Sequence, residues 1–169
     1  MKLSDTMAGE FNRQLTMELD ASNAYLAMAG WLENAGFPGF SSWMQMQSEE
    51  ERLHGLKLYQ FILDRETEIS IGSIDAPKAT FESLIDAFET ALAQEKAVTA
   101  AISNMYGIAS AEGDYASIPL LQWFVTEQIE EEATVSQVID DLELAEANPQ
   151  ALLLLDREMG ARVAPTPPA

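Results

Sequence analysis

The chain has 169 residues, with 9 Lys and Arg against 28 Asp and Glu, a formal net charge of −19 and 47% hydrophobic residues. That length fits one compact domain and that apolar content fills a core, which excludes disorder throughout; the negative field repels nucleic acid and gathers metal cations. With no cysteine, disulfides, thiolate zinc sites, cysteine-held clusters and thiol catalysis are excluded, leaving oxygen ligands and the single imidazole of His54.

The N-terminus has no apolar run after Lys2, and no stretch approaches the ~20 apolar residues of a membrane span, so a cytoplasmic protein without a membrane partner is expected. Helical spacing predicts four long helices near residues 5–35, 41–67, 79–110 and 117–146, with a short fifth near 149–160. In the first, Leu15, Leu19, Ser22, Leu26, Ala29 and Leu32 form one row. A short turn at Phe37-Pro38 joins it to the second helix, and another at Gly113 joins the third to the fourth.

Between Thr67 and Lys78 the connection is different: Ile69, Ile71, Ile74 and Pro77 lack helical period. At ~3.3 Å per residue such a segment reaches along a whole bundle. Glu68-Ile69-Ser70-Ile71 is the one brief alternation of the kind a strand shows. The pattern predicts an all-α chain of two helical hairpins joined by a long crossover.

Asn148 and Pro149 open the fifth helix as cap and first residue, and Leu152 to Leu155 then cover every side of one turn. A helix apolar all round calls for burial all round, pointing to oligomerisation; packing on the bundle end within one subunit is the other reading. The domain is taken as 1–160, with 161–169 a flexible proline-rich tail.

Six polar residues fall in mid-helix: Glu18 on the first, Glu51 and His54 on the second, Glu95 on the third, Gln128 and Glu131 on the fourth. Residues three apart on a helix share a face, so Glu51 with His54 and Gln128 with Glu131 can each aim two atoms at one point. A single separation of 77 residues relates Glu18 to Glu95, Glu51 to Gln128 and His54 to Glu131, as an internally duplicated hairpin would. Carboxylates converging inside a bundle cannot all stay ionised without cations. Two divalent ions satisfy them, Glu51 bridging, Glu18 and His54 completing one site, and Glu95, Glu131 and Gln128 the other. Oxygen ligands with one imidazole suit Fe²⁺ or Mn²⁺, with Zn²⁺ as a competitor.

On these segments the chain resembles the ferritins, most closely the non-haem bacterial type. The resemblance rests on Leu15-Thr16-Met17-Glu18-Leu19 with Tyr25, Ser48-Glu49-Glu50-Glu51-Arg52-Leu53-His54, Gln94-Glu95-Lys96 and the run from Leu121 to Glu132. It implies a ferritin-like four-helix bundle that oxidises Fe(II) with O2 or H2O2 at a di-iron centre and stores the ferric mineral in a homo-oligomeric cage of about 24 subunits. Glu18, Glu51 and His54 match the family's first iron site, and Glu95 and Glu131 the second, with Gln128 beside it. Glu50, Glu127 and Glu130, with Glu131, match an accessory third iron site, against which stands a plain solvated acidic face. Tyr25 matches the family's tyrosine near the centre and could donate an electron; a core tyrosine with a satisfied hydroxyl is its other reading.

Two departures accompany the resemblance. Haem-binding relatives carry a second Glu-x-x-His and a ligating Met two places before the first His; Gln128-x-x-Glu131 and Arg52 stand there, so no haem is expected. Animal ferritins carry acids at a three-fold iron channel where this chain has Ile118 and Leu121, so iron would take another way inward. Rival readings are a di-iron or di-manganese peroxidase or oxygenase on the same bundle, and a non-enzymatic acidic scaffold.

Overall fold

The computed structural model describes residues 1–145 and 148–161, so the expected proline-rich tail lies, beyond Ala161, outside the described residues. Among the described residues five helices follow in order: α1 (Asp5–Asn34), α2 (Pro38–Asp64), α3 (Leu84–Glu112), α4 (Ile118–Ala145) and α5 (Pro149–Met159). No strand occurs among the described residues. Nor is any described helix long and apolar enough to cross a membrane.

Local chemistry sets the boundaries. Ser4 and Ser83 accept hydrogen bonds from the backbone N–H of Met7 and Asp86, capping α1 and α3, and Asn148 caps α5 through Gln150 and Ala151. Because Ser83 is the cap, α3 starts at Leu84 and not near 79, and residues 79–82 belong to the crossover. Helix α2 starts at Pro38, earlier than expected from a turn there: a proline at the first helical position needs no donor and has its φ preset. It ends at Asp64, short of 67. Gly113, at φ 69°, closes α3 in the left-handed region.

The brief alternation at 68–71 forms no strand, because α1 side chains take up the crossover's backbone groups. Asn12 donates to the Glu68 carbonyl and accepts from Ser70 N–H, while Thr16 Oγ1 accepts from Gly72 N–H. The crossover therefore lies along α1.

Two apolar clusters fill the bundle, and their order along each helix gives the topology. Met7, Phe11 and Leu15 precede Tyr25, Met28 and Leu32 on α1; on α2, Phe40, Trp43 and Met44 of the second group come before Leu58 and Ile62 of the first. On α3 the order is Phe88 then Ile102, and on α4 Phe124 then Val135. Each hairpin is thus antiparallel and α2 runs parallel to α3, which is why the chain needs a long crossover. Leu15, Ser22, Ala29 and Leu32 of the expected row are buried beside Phe11, Glu18 and Tyr25, while Leu19 is half-buried and Leu26, 56% exposed, falls outside the packed face.

Burial of α5 on every side, expected from its four leucines, is not found within the chain. Leu152, Leu155 and Met159 pack on the bundle's end, while Leu153 and Leu154 are 52% and 59% exposed. The helix is seated by the buried Asp156, whose Oδ1 accepts the Phe40 N–H at 2.9 Å. Close approach at Gly39 completes the seat, since a Cβ there would stand 1.6 Å from the Asp156 carbonyl oxygen.

Candidate metal centre

On every long helix a polar step separates the two apolar clusters, and these steps meet: Glu18, Glu51, His54, Glu95, Gln128 and Glu131 are all buried. Near them Ser22 and Ser48 each donate to the other's carbonyl, at 2.7 and 2.8 Å, fixing the approach of α1 to α2.

Ligand atoms of Glu18, Glu51 and His54 lie within 4.8 Å of one another, and so do those of Glu50, His54 and Glu131. Glu51 Oε2 and His54 Nδ1 are 3.4 Å apart. Glu18 Oε2, both Glu51 oxygens, His54 Nδ1 and Gln128 Oε1 are buried and make no hydrogen bond among the described residues. Orphaned acceptors grouped this way are the donor set of a hard divalent cation.

Glu95 is held differently. Tyr25 O–H donates to its Oε1 at 2.5 Å, and Gln128 Nε2 lies 3.2 Å from its Oε2 and from its backbone carbonyl. Two further amides, which no sequence pattern singled out, also reach the carboxylates: Gln14 donates to Glu18 Oε1 at 2.9 Å, and Gln47 to Glu131 Oε2 at 2.8 Å.

Burial is the largest cause raising the Glu18 and Glu51 carboxyls well above their ordinary range, followed by the charge of Glu51 on Glu18 and of Glu95 on Glu51. Glu95 is raised too, chiefly by burial, with the Tyr25 and Gln128 hydrogen bonds opposing. Glu131 is pushed up to about 7 by burial and by the charges of Glu50 and Glu95, against the Gln47 hydrogen bond. The Tyr25 phenol is held well above its usual value by burial and the surrounding carboxylates.

Glu50 and Glu127 are half-buried and Glu130 is exposed. Burial raises Glu127, and the charges of Glu130 and Glu50 add to it against His54. The His54 ring packs edge-on against Trp123 and Phe124, at 5.4 and 5.8 Å between centroids. Leu121 is fully buried in the core, so it lines no channel.

A four-helix bundle with carboxylates from every long helix and one Glu-x-x-His at its buried waist is a metal-handling carboxylate bundle. The model of the ferritin-like domain matches residues 9–145. The bacterial non-heme ferritin of Staphylococcus haemolyticus is 39% identical over 160 residues, 95% of this chain and 96% of that one, and its Staphylococcus aureus counterpart is 37% identical over the same shares. Among solved structures, an open-pore ferritin from the hyperthermophilic archaeon Archaeoglobus fulgidus is 34% identical, with a TM-score of 0.93 over 95% of this chain and 98% of that one. A form of that ferritin engineered to be closed is also 34% identical, with a TM-score of 0.95 over 97% and 100%. The chain belongs to the ferritin family.

Proposed function

We propose that this chain is an iron-storage ferritin with ferroxidase activity. The observation that carries the proposal is the set of buried acceptors without hydrogen bonds on Glu18, Glu51 and His54, which an arriving cation satisfies. Fe(II) is the substrate. Glu18 and His54 hold one ion, Glu95 and Glu131 the other with Gln128 alongside, and Glu51 bridges them. Each Fe(II) gives up one electron; O2 takes both, with two protons, and leaves as H2O2, while H2O2 in place of O2 goes to water.

The raised carboxyls supply protons when the ions displace them. Tyr25, hydrogen-bonded to Glu95, stands where, with only one Fe(II) bound, it can supply the second electron that O2 or H2O2 takes, its phenolic proton passing to Glu95 Oε1. Glu50, Glu127 and Glu130 with Glu131 form the third site and the way from the centre to the mineral. The outward leucines of α5, Leu153 and Leu154, support assembly into a cage of about 24 copies, in which they are covered. Cytoplasmic work fits a chain without cysteine.

Stopped-flow oxidation of Fe(II) tests the site. Glu51→Ala and His54→Ala are each expected to abolish the rapid phase while assembly by size exclusion is unchanged. Rates equal to the unaltered protein would discard these residues as ligands, and a monomer or dimer with catalytic turnover would favour a di-iron enzyme over a store.

A further inference from the structure

Gln14 and Gln47 stand one helical turn before Glu18 and Glu51, 2% and 0% exposed, deep in the bundle among residues the metal centre does not include. Each donates an amide N–H to a carboxylate. Gln14 reaches forward along α1 to Glu18 Oε1 at 2.9 Å, and Gln47 reaches across from α2 to Glu131 Oε2 on α4 at 2.8 Å. The consequence is plain at Glu18: one oxygen is engaged and the other, Oε2, is buried without a partner.

We propose that Gln14 and Gln47 are positioning residues, each holding one oxygen of a metal-binding carboxylate and so fixing where the carboxylate meets the ion. This rests on the metal-centre reading above. A neutral amide suits the task. Lysine or arginine would hold the carboxylate as well but would bring a positive charge to the place a cation must occupy, whereas an amide N–H orients the oxygen and leaves the negative charge for the metal. Carboxylates crowded at one point otherwise swing apart in the absence of ions, and that freedom is lost again on binding.

The two amides have different jobs. Gln14 acts within one helix and touches the Glu18 half of the centre. Gln47 ties α2 to α4 and touches the Glu131 half. Neither is repeated by the internal duplication, since Ala91 and Phe124 stand 77 residues on. The second hairpin thus packs the corresponding places with apolar groups.

Co²⁺ titration of the metal-free assembled protein, read by its visible absorption, is the test, because it needs neither iron nor turnover. In the unaltered chain two ions per subunit are expected. Gln14→Leu should weaken one of them about tenfold and Gln47→Leu the other about tenfold, the range set by groups that orient metal ligands. In a His54→Ala background, which keeps the Glu131 half, Gln47→Leu should still weaken the remaining ion tenfold and Gln14→Leu should leave it unchanged.

A purely structural role would lower thermal stability without this division between sites. Gln14→Asn and Gln47→Asn, one methylene shorter, keep a polar group but draw the amide back, and should give the same site-selective loss if the leucine variants fold poorly. Unchanged Co²⁺ binding in the asparagine variants, or both ions weakened alike by either leucine variant, would overturn the proposal and leave the metal centre standing. No Co²⁺ uptake by the unaltered chain would remove the metal centre and the positioning role together.

Discussion

Replacing Glu131 by glutamine should make the metal-free protein more stable, although it removes a residue of the centre. In the folded chain the carboxyl is raised from 4.5 to about 7, first by burial and then by the charges of Glu50 and Glu95. At ~1.4 kcal/mol for each tenfold in proton affinity, keeping it ionised costs about 3 kcal/mol. Because it binds its proton more tightly folded than unfolded, the folded state holds more protons between about pH 4.5 and 7, and stability falls as pH rises through that window. Above pH 7 the whole penalty is present; at pH 4.5 less than about 0.5 kcal/mol remains.

Glu131→Gln stays neutral throughout, and its amide oxygen can still accept from Gln47. Thermal unfolding by circular dichroism, with chelator present, is therefore expected to show the variant about 3 kcal/mol more stable at pH 8, or about 6–12 °C for a chain of this size, and nearly level with the parent at pH 4.5. Saturating Zn²⁺ should reverse the order at pH 8, because the parent binds the ions more tightly. A variant less stable than its parent at pH 8 without metal, or a gain of equal size at pH 4.5, would refute the claim that ionic crowding strains the empty centre.

Three further outcomes are expected. Tyr25→Phe removes the donor to Glu95 Oε1 and should cost about 1–3 kcal/mol in metal-free unfolding while slowing Fe(II) oxidation; no change in either would show that the bond does nothing. Co²⁺ binding near pH 6, followed by calorimetry in buffers of different ionisation enthalpy, should release about one proton per subunit, since Glu131, pushed up to about 7, holds its proton there. Gly39→Ala should drive α5 from its seat on α2, costing about 1–3 kcal/mol and reducing the large assembly on size exclusion, and an intact assembly would show that this seat does not govern α5.

Much of this was legible in the sequence because it depended on period and spacing. The helices follow their apolar repeat, Glu18 and Glu95 stand out as acids inside apolar rows, and one offset of 77 residues relates Glu18 to Glu95, Glu51 to Gln128 and His54 to Glu131. Pro38 was harder to place, since a proline beside glycine marks a turn and a helix start equally well. Leu26 was misplaced for another reason: periodicity finds a row but not which edge of it meets a neighbour. Gln14 and Gln47 carry no sequence signal beyond standing one turn before an acid, because an uncharged amide in a helix is ordinary and Gln47 finds its partner on a different helix, 84 residues away.

The most direct measurement is X-ray diffraction from crystals soaked in Fe(II) without oxygen, with anomalous scattering at the iron edge to count and place the ions. Two strong sites per subunit are expected, one against Glu18, Glu51 and His54 and the other against Glu51, Glu95 and Glu131. Iron found only on the exposed acidic surface, with these side chains bare, would contradict the buried centre on which the ferroxidase proposal stands.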